Sequence, residues 1–425
     1  MEQSVRQQIR DLIKREVVVA TGCTEPGAVA LAVAKARETL GCMPDTTELL
    51  LSKNVFKNAL GVGIPGTGMV GLPIAVAIAL TAGDSSRQLE VLTVSSDAVA
   101  SAKAWLANNG ENIFIGLKER CEDKLYIECI CKKGNDTATA IISKRHTNFI
   151  YIARNNDVLL AKEGPSNASE TDAGGVPALT QRIVYDYATT APIDELRFIL
   201  ETVNLNCAAA NEGLKGYGLN TGRILMENAA GDIVHTVIAR TVAASDARMD
   251  GCTLPIYSNS GSGNQGIACT LPVYEYGKAK SSSEEQIIRA LILSHLTSIY
   301  IKRGIGRLSA LCGIVNASIG VTSGITYLHG GNYDQMCYAI KNMINTLAGM
   351  VCDGAKPSCA LKMSTGLYSA FVCAELALHD KVVEACDGLS ERDIDYSIRN
   401  LGRLGMEGMD QTDDVVLDIM THKQM

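Results

Sequence analysis

Apolar residues recur along this chain with two different periods, and the change between them marks out its parts. Residues 3–40 carry helical periodicity and predict two helices. The first is amphipathic. The second follows the break TGCTEPG at 21–27, where Thr24 is placed to cap it, with Glu25 and Pro26 in its first turn and Gly41 just past its end. From about 45 to 162 the period falls towards two. Strands are predicted at 47–51, 88–94, 124–131, 136–143 and 147–153, with helices at about 68–82 and 96–108 between them. Residues 163–177 are polar and rich in Gly and Pro, and predict a linker. Helical periodicity then resumes over 178–189, 193–215, 220–247, 283–303, 308–328, 332–348 and 358–379, with Ser282 and Glu285 spaced for a capping box. The expected fold is α+β, a mostly helical domain plus a mixed-sheet domain. The expected boundaries are an N-terminal helix pair at 1–43 belonging to the helical domain, the α+β domain at 44–165, and the helical domain at 166–425.

Composition sharpens this picture. Only 5% of residues are aromatic while 39 are glycine, so close helix–helix approach is expected, above all for the small-residue segment 313–326, GIVNASIGVTSGIT. A net charge of −7 and the lack of Lys/Arg runs interleaved with aromatics exclude nucleic acid as a partner. The charged N-terminal helix has no secretory apolar region, and the longest apolar run, 71–83, falls short of the roughly 18 residues that span a membrane. No membrane is expected, the expected location is the cytoplasm, and the sequence leaves room for a homodimer.

The 14 cysteines of such a chain do not form a disulfide framework, and most are expected as small buried hydrophobes. Five stand apart among Gly, Ser, Thr, Asn and Pro: Cys23, Cys269, Cys312, Cys352 and Cys359. Cys23, Cys312 and Cys352 share a setting close to predicted helix starts, where a thiolate is stabilised. Thiolates are the soft ligands that zinc and iron–sulfur clusters select, but no CxxC pair supports a shared site, and spacing alone favours three unrelated helix-end cysteines.

Polar segments offer candidate ligand groups. Residues 258–269, SNSGSGNQGIAC, form a loop able to present backbone N–H groups and amides to a small anion, with Asn259, Asn264 and Gln265 as candidates. In 52–68, SKNVFKNALGVGIPGTG, Lys53, Asn54, Asn58 and Thr67 are candidates for a carboxylate-binding wall facing the helical domain. The GxGxxG match there lacks a strand–loop–helix frame, so a dinucleotide site is excluded. The six histidines show no metal spacing, and His295 reads as a core residue. Loop 258–269 also resembles the asparagine loop of pyridoxal-phosphate dehydratases, but the upstream lysines, Lys162 and Lys215, lack the strand-to-helix setting of a Schiff-base lysine.

Five pieces taken together carry a family resemblance: TGCTEP at 21–26, the 52–68 segment, NSGSGNQG at 259–266, LCGIVN at 311–316 and CDGAKPSC at 352–359. They resemble the L-cysteine desulfidases, also grouped as serine-dehydratase alpha-chain-like proteins, over essentially the whole chain. The resemblance implies an oxygen-sensitive [4Fe–4S] cluster held by Cys23, Cys312 and Cys352, with Cys359 a spare. It further implies conversion of L-cysteine to pyruvate, ammonia and sulfide. The helical part is also similar to iron–sulfur L-serine dehydratases, which read Cys-Asp-Pro where this chain has Cys352-Asp353-Gly354 and lack the Cys-Thr-Glu-Pro element. Serine dehydration by the same chemistry is therefore the first alternative, followed by pyridoxal-phosphate chemistry and a non-catalytic amino-acid-binding sensor. The substrate is a small amino acid in each case. The expected base is Lys356, beside Cys352 in sequence, with Ser260 and Ser262 as alternatives.

Overall fold

In the computed structural model of the chain, the described residues are 1–162, 178–306 and 308–423. The predicted linker at 163–177 lies outside them. Helix α1 (Gln3–Glu16) leads through the two-residue strand β1 (Val19–Ala20) into α2 (Thr24–Leu40). Next come β2 (Thr46–Leu51), α3 (Lys53–Ala59), the small hairpin β3 (Gly63–Ile64) and β4 (Met69–Val70), α4 (Leu72–Thr81) and α5 (Ser96–Asn109). The strands β5 (Ile113–Leu117), β6 (Tyr126–Lys133), β7 (Asp136–Ser143), β8 (Phe149–Arg154) and β9 (Asp157–Ala161) complete a six-stranded sheet in the order β5-β2-β6-β7-β8-β9. It is mixed, because β2 runs parallel to β5 and antiparallel to β6.

The remainder is helical: α6 (Gln181–Thr190), α7 (Ile193–Leu196), α8 (Glu201–Gly213), α9 (Thr221–Glu227) and α10 (Ile233–Met249). After the short strand β10 (Ile256–Tyr257) follow α11 (Gly263–Ala279), α12 (Glu284–Ile305), α13 (Gly313–Leu328) and α14 (Tyr333–Leu347). Helices α15 (Cys359–Leu378), α16 (Ile394–Arg403) and α17 (Asp410–Thr421) complete the chain. The fold is α+β, with one hydrophobic core among the helices and a second between the sheet and α2 and α4.

The N-terminal helix pair is split between these cores. Helix α1 has one apolar face, and Ile9, Leu12 and Ile13 bury it in the helical core. Helix α2 is apolar almost all round, with every residue from Ala28 to Ala34 buried. Such a helix must be covered on all sides, and it lies in the second core against β6, β7 and α4. Its first turn stays in the helical half. The residue at its cap position is Cys23, not Thr24, and Gly41 closes it in the left-handed conformation.

Other departures have local causes. Residues 88–94 form no strand: Ser85–Glu90 is a 3-10 turn kinked at Gln88, and Val91 and Leu92 point from it into the α2 core. An apolar run that plugs a core from a turn looks like a strand in sequence. The strands β5 and β9, at the sheet edges, carry too little alternation to be predicted. The 220–247 helix breaks after Glu227, and Asp232 caps a new one by accepting from the His235 amide. The capping box of α12 is Ser283 with Gln286, one residue on from the predicted pair. The small-residue segment in α13 does run against another backbone, since a Cβ on Gly320 would stand 2.2 Å from the Ser294 carbonyl of α12.

Candidate functional site

Four stretches far apart in sequence are pinned together by backbone hydrogen bonds. The pairing of β1 with β10, Val19 opposite Tyr257, brings the residues before Cys23 beside the turn at 258–262. The Ser258 amide donates to Val18 O at 2.8 Å and the Ser260 amide to Glu16 O at 2.9 Å. On the facing side, Leu311 bridges Val351, with the Cys312 amide donating to Met350 O and the Cys352 amide to Ala310 O at 2.6 Å. That short pairing sets Cys312 and Cys352 next to each other, one at the cap of α13 and the other opening the loop into α15.

Between these stretches lies a cavity of about 120 Å3. Cys23, Cys312 and Cys352 all line it, although they come from opposite ends of the chain. Cys359 lines it too, packed with Cys23, Val62 and Met249. Burial dominates the thiols. It pushes Cys312 up to about 12, with neighbouring Cys352 adding to the rise, and it lifts Cys23 well above the ordinary thiol value. At Cys23 and Cys312 the helix-end stabilisation expected from sequence is outweighed. Metal binding to such thiols must displace their protons.

The chemistry of the donor set is that of soft sulfur ligands. Among the described residues, no group of three or more His, Cys, Asp and Glu side chains is drawn together tightly enough to hold one metal ion. A cluster is wider, and its ligands line a cavity instead of meeting at a point. The four cysteine sulfurs among the lining residues are of the soft type that iron–sulfur clusters take.

The other walls are polar. Glu25, in the first turn of α2, accepts from Cys23 Sγ at 3.0 Å and from Asn58 Nδ2 at 3.1 Å, and lies 3.9 Å from His146 Nε2. Burial pushes its carboxyl up, but His146 and Cys23 overbalance this and hold it well below the usual carboxylate range. Because a carboxylate only accepts, it fixes the Asn58 amide with its nitrogen towards Glu25. Asn58 Oδ1 is left buried without a partner, and His146 Nε2 is buried without a hydrogen bond as well. Unsatisfied buried atoms of this kind cost about 1–3 kcal/mol each, and here both belong to residues lining the cavity. Arg248, at the end of α10, donates to Asn264 Oδ1 at 3.2 Å and to Gly22 O at 2.9 Å. These bonds hold its guanidinium at the wall, and Lys302 of α12 lines the same space.

Of the other candidates read from sequence, Asn58, Ser260, Ser262, Asn264 and Gln265 line the cavity. Ser260 occupies the left-handed region at φ 49°, and Gln265 accepts from Asn316 Nδ2 at 2.7 Å. Asn259 does not reach it. Fully buried, it donates to His295 Nδ1 at 3.1 Å and to His295 O at 3.2 Å, while His295 Nε2 meets Thr270 Oγ1 at 3.0 Å. Thr67 is tied inside the β3–β4 turn by its bond to Ile64 O at 2.7 Å. Lys53 and Asn54 face α17, paired with Asp414 and Asp413. Lys356 is drawn away by Asp353, 2.6 Å from its ammonium, and is not on the wall. Cys269 sits on the buried face of α11, in the helical core. Glu25, His146, Arg248 and Lys302 are cavity residues without a sequence assignment. Arg248 had a weak signal, as one of two charged residues, with Asp246, in the small-residue end of α10. His146 sits in a polar turn and had none.

Similarity to known proteins extends over most of the chain. The profile of the serine dehydratase alpha chain family matches residues 86–418. A UPF0597 protein of Phocaeicola vulgatus is 57% identical, covering 99% of this chain and 98% of its own. One of Bacteroides thetaiotaomicron is 53% identical over 100% and 99%, and one of Aeromonas hydrophila 42% over 97% and 95%. By the extent of that match and the full-length likeness to these relatives, the chain belongs to the serine dehydratase alpha chain family.

Proposed function

We propose that this protein is a cytoplasmic, oxygen-sensitive [4Fe–4S] lyase that eliminates sulfide from L-cysteine and releases pyruvate and ammonia. The observation that carries the proposal is the meeting of Cys23, Cys312 and Cys352 on a cavity whose remaining walls match a zwitterionic amino acid. These three cysteines would hold the cluster, and when bound it would supply an open iron as Lewis acid for the substrate's sulfur, a soft ligand.

The chain's own residues do the rest. Arg248, fixed by Asn264 and Gly22, faces the substrate carboxylate with guanidinium N–H groups still to spare. Asn58 Oδ1 and the ionised Glu25 accept from the ammonium. Held between them, the α-C–H is directed at His146 Nε2, which takes the proton, with the Glu25 carboxylate beside the ring to stabilise the charge it gains. The C–H electron pair forms the Cα–Cβ double bond while the Cβ–S bond breaks and its pair leaves with sulfur. The aminoacrylate product tautomerises and is hydrolysed by water to pyruvate and ammonia. His146 replaces Lys356 as the base in this scheme.

L-Serine, losing hydroxide in place of sulfide, is the second reading, favoured by the description of the matching family. Pyridoxal phosphate has less support: Lys215 pairs with Glu212 outside the cavity, and Lys162 follows β9. One experiment tests the proposal. Anaerobically reconstituted protein is given cysteine and serine side by side, and sulfide and pyruvate are measured. Sulfide and pyruvate in equal amounts from cysteine are expected. Release from neither substrate, with ligand binding intact, would favour the sensor, and a borohydride-trapped lysine adduct would favour pyridoxal phosphate.

A further inference from the structure

Lys57 is an unusual residue to find in the middle of a short helix. Its side chain is 1% exposed, and its ammonium is ion-paired with Asp413 of α17. Asp413 also accepts from Asn54 Nδ2 at 2.8 Å, so both carboxylate oxygens are engaged by α3. The ammonium has a further bond, to the backbone carbonyl of Cys352 at 3.1 Å. The loop after Cys352 lies directly on α3. Gly354 takes φ +91°, and a Cβ there would stand 2.4 Å from the Lys57 carbonyl. The Cys352 amide is already held by Ala310 O on the other side.

We propose that Lys57 is the positioning residue for Cys352, and that α17 takes part in assembling the site by supplying Asp413 as its counter-charge. The Cys352 peptide is gripped at its N–H by the segment before α13 and at its C=O by α3, so the thiol is held at the wall beside Cys312. A neutral side chain at position 57 would fill the space but leave that carbonyl without its donor. The inference rests on the reading of the cavity as a cluster site, and its test is readable without a cluster.

The test uses the full-length, metal-free protein. The alkylation rates of Cys352 and Cys312 by iodoacetamide are followed by peptide mass spectrometry in the parent, Lys57→Met, Asp413→Asn and the control Lys53→Met. Lys53 pairs with Asp414 at the surface. Cys352 is expected to react at least fivefold faster in Lys57→Met and Asp413→Asn, with Cys312 within twofold of the parent and Lys53→Met unchanged at both thiols. Iron bound per chain after anaerobic reconstitution should fall by at least half in the same two variants. A Cys352 rate within twofold of the parent in both would overturn the proposal. So would equal acceleration of Cys312, which is what general loosening gives. If Lys57→Met does not fold, the nearly isosteric Asp413→Asn decides alone. A parent protein that takes up no iron would remove the proposed function, while the alkylation rates would still decide the role of Lys57.

Discussion

Replacing Asn259 by alanine separates a ligand-binding asparagine from a core one. In sequence it belongs to a polar loop suited to a substrate carboxylate, yet its amide is buried against α12, donating to His295 Nδ1 and to the His295 carbonyl. Burial pulls the His295 imidazole down to about 3, so the ring is neutral, and Asn259 Nδ2–H is the donor to its unprotonated Nδ1. In Asn259→Ala that nitrogen is orphaned in the core at about 1–3 kcal/mol, and the lost amide volume brings the total to about 2–4 kcal/mol. With an unfolding entropy near 2.1 cal/mol/K per residue, a chain of this length should lose about 2–4 °C in Tm. Calorimetry measures this, and KM for cysteine in the folded variant should stay within about threefold of the parent. An unchanged Tm with a tenfold rise in KM would refute the reasoning and return Asn259 to the substrate.

The other expectations concern single positions. Burial raises the Asp246 carboxyl to about 6, above its unfolded value, so its penalty on the folded state grows as pH rises from about 4 to 6 and is complete above that. Asp246→Asn should therefore gain about 2–3 kcal/mol on the parent between pH 4 and 7 in urea unfolding, and a pH-independent difference would contradict the assignment. Gly320→Ala should destabilise by about 1–3 kcal/mol despite better helix propensity, because the added methyl meets the Ser294 carbonyl; a gain in Tm would show that α12 and α13 can separate cheaply. Lys356→Met should keep kcat within about threefold, since its ammonium is held by Asp353 away from the cavity, whereas a hundredfold loss would reinstate it as the base.

The fold class was legible because long helices and alternating strands carry their periods in the sequence. What local pattern lacked was the partner of each segment. Helix α2 is helical by any reading, but its all-round apolarity tells only that it is buried, not that the sheet buries it. Cys23, Cys312 and Cys352, which line the cavity, stood out in sequence because cysteines among glycines and prolines at helix starts are unusual company. Glu25 and His146 were not legible, because they acquire their setting only when a turn of the sheet meets the start of α2. Of the residues of 52–59 proposed as a carboxylate-binding wall, only Asn58 lines the cavity, while Lys53 and Asn54, like their neighbour Lys57, meet acidic residues of α17.

The grip of α17 on α3 also sets a schedule for biogenesis. At about 5–20 residues per second, a ribosome finishes Asp413 roughly 20–80 s after it has made Cys23. Throughout that interval the Cys352 carbonyl is unmade or without its lysine–aspartate clamp. The clamp on Cys352 is completed only when the last helix docks, so a nascent or C-terminally clipped chain would carry Cys352 without its full support.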